Sequence, residues 1–469
     1  MKRNVIATLI FCCIQIFTYA QITHTEAYTK IEDYMRENKI SDSIVLYHSP
    51  IIANQDAIIL ANQDTLQSPS YDSYVFFIDE YPYKNWGHPC RFLFVDCSSG
   101  IVSTMTASFP PNDIFEWEVI KNEIVQVQNL SPHLQVALRR SSPVLNNNAS
   151  HCYAIIISGG FNCYNNHIRY WNDCSAMYTI LKNEYGYWDD NIYVMIADGT
   201  DPYADRNCVS YADSSPLDLD NDGIADIEYP ATKESITSVC DELSSKLTEN
   251  DCLFIFTTDH GGTTEDGEAV MYLWGENITA TEFANEIDKI KAGSINVVME
   301  QCFSGGFIPK LSQKNRTIAT ACAADESSEA MPELFLYNEF VYHWMSAVYG
   351  KTIDSLISIN GVDTNNDSII SMKEAYDYAE RADTRDETPQ YASIKSHYGE
   401  YVSLLGVNKE QNTTVNYQGL IGVVEINGYN VNIINVYIHE SANVQVEAIK
   451  HLLVGPNTII NKGATFRVL

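Results

Sequence analysis

The feature that most constrains the fold is an alternation of apolar and helix-like segments between residues 149 and 407. Continuous apolar runs of this length are typical of strands buried on both faces. The predicted strands are Cys152–Ser158, Asn191–Ala197, Asp251–Thr258, Ile295–Met299 and Thr317–Cys322. The predicted helices are Trp171–Tyr185, Lys233–Lys246, Thr281–Lys291 and Phe340–Tyr349. This alternation predicts an α/β fold with a mainly parallel sheet and helices on both faces, and functional sites beyond the carboxyl ends of its strands.

The regions on either side of this alternation have a different pattern. Residues 21–148 contain short apolar runs, such as Val75–Ile78, between turn residues, which predicts a mixed, mainly β region. Its last part, residues 141–148, is polar and rich in asparagine, as in a linker. Residues 408–469 return to short β-like runs and predict a small C-terminal β domain.

The N-terminus has the pattern of a secretory signal peptide. Lys2 and Arg3 precede an apolar stretch from Val5 to Phe17, and Ala20 offers a small residue at the cut. This predicts a chain that is secreted or held at the cell surface or in the periplasm, with residues 1–20 removed. A membrane anchor is the alternative, but the apolar stretch is short for a span. We expect no later membrane span.

The charge balance excludes two classes of partner. The chain has 29 Lys plus Arg against 61 Asp plus Glu, for a formal net charge of −32. A general nucleic-acid binder or an anionic membrane surface would call for a basic surface. Excess acid suits a soluble protein or one that binds cations. Ten cysteines follow the signal peptide and can form disulfides in an exported chain, but the sequence gives neither their pairing nor the oligomeric state.

A histidine and a cysteine follow two of the predicted buried strands. His260 stands in the motif DHGG, and Cys302 stands in EQCFSGG. Each enters a glycine-rich turn, which exposes a side chain and lets a substrate approach the backbone. A thiol attacks a carbonyl when a base assists it and when donors stabilise the oxyanion. The alternative is that both are core residues, since cysteine often packs as a small apolar side chain.

The strand–DHGG and strand–ExCxSG pair resembles the catalytic core of legumain-like cysteine peptidases, which belong to the caspase and gingipain clan. The resemblance runs from about Tyr153 to Tyr349. It implies a caspase-like fold, with Cys302 as the nucleophile and His260 as its partner. It also implies that the backbone amides of Gly261 and Cys302 bind the oxyanion, and that Asn165 or Asn166 supports the histidine.

The resemblance further implies a pocket for the residue before the cut, the P1 residue. Arg169, Glu300 and either Ser327 or Ser328 occupy the positions of the pocket residues in the family. Legumains cleave after Asn and more weakly after Asp, and an arginine favours a carboxylate. A surface salt bridge is the alternative for Arg169. Gly262 and Phe303 depart from the residues usual in the family, so the substrate preference is less well defined than the pair of catalytic residues.

Two acidic loops have the spacing of calcium-binding loops of the EF-hand type. The first has its ligand positions at Asp218, Asp220, Asp222, Ile224 and Asp226, with glycine between them but no final glutamate. The second has Asp363, Asn365, Asp367, Ile369, Ser371 and Glu374, with Ser368 in place of the glycine. We expect structural Ca²⁺ here and no cofactor for catalysis. The alternative is a pair of turns rich in Asp and Asn.

Taken together, these patterns predict an exported cysteine endopeptidase that hydrolyses protein or peptide substrates, after Asn or Asp. Residues 21–148 are a candidate inhibitory propeptide, and Asn146, Asn147 and Asn148 would suit cleavage after asparagine. A plain β module is the alternative for that region. For the whole chain, the alternatives are a non-catalytic, calcium-stabilised surface or adhesion protein and a transpeptidase.

Overall fold

The computed structural model describes residues 21–40, 44–61, 64–81, 84, 87–122, 149–208, 212–331, 336–354, 356–393, 397–407, 412–416 and 418–469. The predicted signal peptide and the linker at residues 141–148 lie outside these ranges. The chain forms two compact units, one of Met1–Glu80 with Pro89–Asn122 and one of Tyr81–His88 with Glu123–Leu469. The predicted domain boundaries stay predictions.

The first unit is a helix packed on an antiparallel sheet. Helix α1 (His24–Glu37) begins with a capping box in which Thr23 and Glu26 bond each other's backbone amides. It buries Ala27 and Ile31 against one face of the sheet. The strands are β1 Val45–His48, β2 Ala57–Ile59, β3 Thr65–Gln67, β4 Ser73–Asp79, β5 Cys90–Asp96, β6 Val102–Ala107 and β7 Glu118–Asn122. The main sheet has the order β6-β5-β4-β1-β7, while β2 and β3 form a separate hairpin.

The second unit is built on a six-stranded sheet of the order β18-β17-β16-β12-β8-β9. Its pairs are parallel except for β17 with β18. The mainly parallel sheet is therefore confirmed. The strands of this region are β8 Cys152–Ser158, β9 Ile192–Ile196, β10 Arg206–Asn207, β11 Ala212–Asp213, β12 Cys252–Thr257, β13 Gly261–Thr263, β14 Ala269–Tyr272, β15 Asn277–Thr279, β16 Ser294–Met299, β17 Arg316–Thr320, β18 Gln390–Ser393, β19 Val402–Ser403 and β20 Gly406–Val407.

Helices cover both faces of this sheet, as expected. They are α2 Ile168–Asn183, α3 Lys233–Lys246, α4 Ala280–Ile287, α5 Ile308–Leu311, α6 Glu339–Tyr349 and α7 Met372–Ala382. Successive residues of a strand point to opposite faces, so Ile156 packs in the core with α2, α6 and α7, whereas Ile155 packs in the core with α3 and α4. The strands are apolar throughout because each is buried on both sides.

The C-terminal residues form strands, as predicted, and these strands pair in parallel, but two of them are 12 residues long rather than short. They are β21 Asn412–Asn416, β22 Gly419–Leu420, β23 Val423–Ile434, β24 Tyr437–Ile438, β25 Asn443–Val454, β26 Ile459–Ile460 and β27 Thr465–Val468. Two sheets of the orders β21-β23-β25-β27 and β22-β24-β26 result. Val431 and Val444 lie in the apolar core of this region.

Two further features concern the helices and the cysteines. Among the described residues, no helix combines the length and apolar character needed to cross a bilayer. None of the ten cysteines after the signal peptide, all of which are described, is in a disulfide.

Candidate active site

The site lies at the carboxyl ends of β12 and β16. These strands are parallel neighbours, and Thr257 pairs with Met299 at their last residues. The chain therefore leaves both strands at one edge, and it reaches His260 and Cys302 after the same number of residues. The turns touch through Gly261, where an added Cβ would lie 1.9 Å from the carbonyl oxygen of Cys302. Only glycine allows this approach, so the HG motif is required by the contact with the cysteine turn.

His260 is 1 % exposed and is held in one orientation. Its Nε2 lies 2.8 Å from the carbonyl oxygen of Asn165, which only accepts, so Nε2 carries the proton. Nδ1 of the neutral ring is then an acceptor, and the Tyr170 hydroxyl lies 3.2 Å from it. Burial, and next the positive charge of Arg169, lower the pKa of His260 well below its usual value. The ring is therefore neutral at pH 7.

The structure distinguishes the two asparagines that sequence reasoning left open. The backbone carbonyl of Asn165 contacts His260. The side-chain amide of Asn166 instead donates to the carbonyl oxygen of Asp205 at 2.8 Å. Asn165 is thus the residue that orients the histidine, and it does so through its main chain.

Cys302 is fully buried, with 0 % exposure. Burial raises the pKa of its thiol to about 11, against hydrogen bonds from Ser328 and Ser327 that lower it. The thiol is therefore neutral at pH 7 in this form of the chain. The next residue, Phe303, has φ of 60°, a left-handed conformation that is uncommon for a bulky residue and that starts the turn after the cysteine.

The two predicted pocket serines lie beside the cysteine. The Ser328 hydroxyl lies 3.8 Å from Sγ of Cys302, and Ser328 is buried. Ser327 is partly exposed and lowers the thiol pKa by its side-chain hydrogen bond. Both serines thus lie next to the Cys302 thiol, and the loop that carries them forms one wall of the site.

Arg169 lies inside the site rather than on the surface. It is 7 % exposed, so the alternative of a surface salt bridge is wrong. Its Nε donates to Oδ1 of Asn338 at 3.1 Å, and its Nη2 donates to the Tyr170 hydroxyl at 3.0 Å. The guanidinium also lies over the Tyr170 ring, 4.6 Å from the centroid. Through Tyr170, the arginine is one hydrogen bond removed from His260.

Three residues that sequence reasoning missed hold this arginine in place. Asn338 accepts from Arg169 and donates through Nδ2 to Asp173 at 2.7 Å and to the Thr258 hydroxyl at 3.0 Å. Burial raises the pKa of Asp173 to about 7. The network joins α2, the end of β12 and the residue before α6. No sequence spacing signals it, because its members come from distant parts of the chain.

Glu300 has a local partner in α6. Its Oε2 accepts from the Val341 amide in the first turn of that helix at 3.2 Å. Burial, followed by the negative charges of Asp173 and Asp383, raises its pKa well above the usual range and so favours the protonated carboxyl. A protonated carboxyl is both donor and acceptor, which fits recognition of an amide.

The first acidic loop gathers three of its five predicted ligand residues. Carboxylate oxygens of Asp218, Asp220 and Asp222 lie within 4.8 Å of one another. The ammonium of Lys182 lies 3.0 Å from the Asp220 carboxylate and 2.9 Å from that of Asp222. Asp226 is directed elsewhere, since it accepts from the Tyr178 hydroxyl at 2.7 Å. The backbone amide of Ile224 donates to Asp222 at 2.8 Å.

The second acidic loop has the same backbone form. Residues at its fourth and sixth positions, Asn366 and Ser368, have φ of 60° and 65°, as Asn221 and Gly223 have φ of 61° and 94° in the first loop. Asp363 accepts the Ser368 amide at 2.9 Å. The backbone amide of Asp367 donates to the side-chain oxygen of Asn365 at 2.9 Å, and that of Ile369 donates to the Asp367 carboxylate at 2.9 Å. Glu374 caps α7 by bonding Ser371 and also accepts from Thr364.

Both loops offer oxygen donors only, which is the donor set that Ca²⁺ prefers. The match in φ shows that Ser368 takes the conformation that glycine takes in the first loop. In the first loop, however, Lys182 already compensates part of the negative charge. Calcium at these loops stays a prediction.

A comparison with known proteins adds one finding. A sequence model described as the Peptidase C13 family matches residues 152–403, which is more than half of the chain. The match spans β8 to β19 and contains every residue of the site described above. No curated protein sequence is significantly similar to the chain.

Proposed function

Because the chain belongs to the peptidase C13 family, the legumain family of cysteine peptidases, we propose that it is a secreted cysteine endopeptidase in which Cys302 is the nucleophile and His260 the general acid and base. The observation that carries the proposal is the contact of Gly261 with the Cys302 carbonyl, beside a histidine whose Nε2 is tied to Asn165. The substrates are proteins or peptides.

The proposed reaction follows from the tautomer of His260. The thiol proton passes to Nδ1, and the sulfur attacks the scissile carbonyl carbon. Negative charge develops on the carbonyl oxygen, where the amides of Gly261 and Cys302 are the proposed donors. The C–N bond then breaks, and the amine leaves with the proton from His260. Water, deprotonated by the same histidine, hydrolyses the thioester and regenerates the thiol.

For specificity, we propose that Arg169 and Glu300 line a pocket for Asn or Asp, with Ser327 and Ser328 at its wall. The buried guanidinium of Arg169 supports a preference for a P1 side chain with an acceptor oxygen. Burial raises the pKa of Glu300 and favours its protonated form, in which the carboxyl has the donor and the acceptor that an amide requires. Cleavage after other residues would discard this pocket and leave the catalytic pair unaffected.

We also propose that residues 21–148 keep the exported precursor inactive until they are cut away, at Asn146, Asn147 or Asn148, which lie outside the described residues. The burial of Cys302 and His260 supports latency, because a substrate needs access to the thiol. A neutral thiol with a pKa near 11 supports it further. Full activity of the intact precursor would contradict the idea and favour a plain β module.

The proposed export rests on the signal-peptide pattern, and structural Ca²⁺ rests on the oxygen donors of the two loops. Two rival functions remain to be separated by experiment. A transpeptidase would use the same thioester but transfer it to an amine, so adding an amine nucleophile would yield ligated rather than hydrolysed products. A non-catalytic surface protein would show no turnover in any form.

The test is cleavage of a peptide library by the protein after removal of residues 21–148, with and without Ca²⁺, beside Cys302→Ala. Cuts after Asn or Asp that vanish in the alanine variant would support both the catalytic pair and the pocket. Cuts that persist in the variant would refute the proposal. An absence of cleavage in every form would favour the binding-protein alternative.

A further inference from the structure

Residues 81–88 lie between β4 and β5 in the chain, yet they belong to the second compact unit. Lys84 forms an antiparallel β-bridge with Glu329, the residue after Ser328. Its ammonium lies 2.7 Å from Oε1 of Glu329, and the side chains are only 22 % and 8 % exposed. Lys84, which lies outside the C13 match, therefore pairs with the loop that forms one wall of the proposed active site.

The direction of this pairing relates it to the nucleophile. The bridge between Lys84 and Glu329 is isolated, but a peptide that extended it as an antiparallel pair would place the residue after the one opposite Glu329 opposite Ser328. The Ser328 hydroxyl is 3.8 Å from Sγ of Cys302. A peptide that adds to this loop as Lys84 does would thus run toward the thiol. Its residue opposite Glu329 would be P2, one residue before the P1 residue.

The Glu329 carboxylate faces the side chain of Lys84, at the proposed P2 position. Among the described residues, Arg385 is the other cation that pairs with Glu329, but its Nε is 4.0 Å from the Glu329 carboxylate and 3.4 Å from that of Glu339. The Nε of Arg385 also donates to the Ala330 carbonyl at 2.9 Å. The backbone amide of Glu329 donates to Glu387, which fixes the loop without using the Glu329 side chain. The shortest ion pair of Glu329 is therefore the one with Lys84.

The charges around Lys84 stabilise its protonated ammonium group. Burial lowers its pKa, but the Glu329 carboxylate outweighs this and raises the pKa overall, with smaller contributions from Asp386 and Cys302. A half-buried ammonium held by a nearly buried carboxylate is a stronger and more selective contact than a pair on the surface.

We propose that Glu329 is a specificity residue that selects Lys or Arg at the P2 position of the substrate, and that Lys84 fills this subsite in the intact chain. The proposal rests on the proposed peptidase function and names a substrate class for it. Main-chain pairing along the loop provides affinity that does not depend on sequence, and the carboxylate provides the selection. An acidic P2 side chain is rejected because it would meet Glu329 as a like charge.

The first test compares cleavage of peptides that share Asn at P1 and differ only in Lys, Ala or Glu at P2. The enzyme is obtained by activating the full-length chain. We expect kcat/KM for the Lys peptide to exceed that for the Glu peptide by about tenfold or more, since charge-assisted hydrogen bonds are of that strength. Glu329→Lys should reverse the preference for the Lys peptide over the Glu peptide, and Glu329→Gln should abolish it. Asp325→Asn, at a nearby exposed acid, should leave the preference unchanged.

The second test needs no turnover. A labelled synthetic peptide with the sequence of residues 81–88 is titrated into full-length Cys302→Ala that also carries Lys84→Glu, and its binding is read by fluorescence anisotropy. We expect binding that weakens by about tenfold when Lys is replaced by Glu in the peptide, and that is lost on adding Glu329→Lys. Equal binding of both peptides would overturn the proposal.

The possible outcomes distinguish a failure of this inference from a failure of the proposed peptidase function. Cleavage that depends on Cys302 but shows no P2 preference, unchanged in Glu329→Gln, would overturn this inference and leave the peptidase function standing. Peptide binding that depends on Glu329, in a chain that cleaves nothing, would support the subsite and refute the enzyme. A rise in the activity of the intact chain on Lys84→Glu, absent in Lys39→Ala, would further support occupation by Lys84.

Discussion

The site at the sheet edge and the two acidic loops use ionisable residues in opposite ways. At the sheet edge, burial leaves Cys302 and His260 neutral and raises the pKa of Glu300 well above its usual value. In the first acidic loop, the pKa of Asp222 is lowered by Lys182, so its carboxylate stays charged. The neutral thiol and imidazole suit the proposed exchange of protons with a substrate. The charged Asp222, with the nearly buried Asp220 beside it, suits the proposed cation site. The comparison shows that burial and a neighbouring opposite charge together decide whether an ionisable side chain is neutral or charged.

The largest effect should follow removal of the thiol. We expect Cys302→Ala to lower kcat/KM of the activated protein by about 10³-fold or more, because no other group replaces the nucleophile. Cys240→Ala, at a buried cysteine within α3, should leave activity unchanged. Peptide hydrolysis rates measure both. Equal loss in the two variants would mean that folding, rather than the nucleophile, was affected.

A second effect tests how the histidine is held. Tyr170→Phe removes the hydroxyl that bonds both Nδ1 of His260 and Nη2 of Arg169. We expect about a tenfold fall in kcat with little change in KM, and a shifted pH–rate profile, because general acid–base catalysis depends on the position and pKa of the ring. An unchanged pH profile would show that Tyr170 only fills space.

The raised thiol pKa predicts how the intact chain reacts with an electrophile. With a pKa of about 11, the thiolate fraction of Cys302 should rise about tenfold per pH unit between pH 7 and pH 9. Iodoacetamide labelling at residue 302, followed by peptide mass spectrometry, should show this slope. Labelling that is already maximal at pH 7 would indicate an ionised thiol. It would contradict the difference between a neutral thiol in the site and charged carboxylates in the acidic loops.

The smallest effects concern calcium. If the loops bind it, saturating Ca²⁺ should raise the free energy of unfolding by about 1 to 3 kcal/mol through mass action, and a chelator should reverse this. Asp363→Asn should weaken the effect. Because Lys182 compensates charge in the first loop, Lys182→Met should strengthen binding there. Calorimetric titration measures both variants, and identical isotherms for all three proteins would remove the calcium prediction.

The sequence predicted the sheet and its two turns because those features are local. A strand buried on both faces is a continuous apolar run, as in Cys252–Thr257, and the glycines after His260 and Cys302 mark the turns. The spacing of the acidic loops was equally local. The pairing of β12 with β16 then followed from the rules of parallel sheets.

Apart from helix α1, what the sequence did not reveal depends on contacts between distant segments. Helix α1 buries only Ala27 and Ile31, so its apolar stripe is weak, and the capping box at Thr23 and Glu26 was the signal that would have found it. The parallel pairing of the C-terminal strands has no signature in short β runs. Tyr170 and Asn338 have roles only because α2 and α6 meet at the end of β12.

The most direct measurement of the central claim is the mapping of a covalent adduct. An Asn-containing peptide with a thiol-reactive carbonyl group would be incubated with the activated protein, and the modified residue would be identified by mass spectrometry. We expect one adduct, at Cys302. Its formation should parallel the loss of peptidase activity and should be slower in His260→Ala. Complete modification of Cys302 with peptidase activity retained would contradict the account.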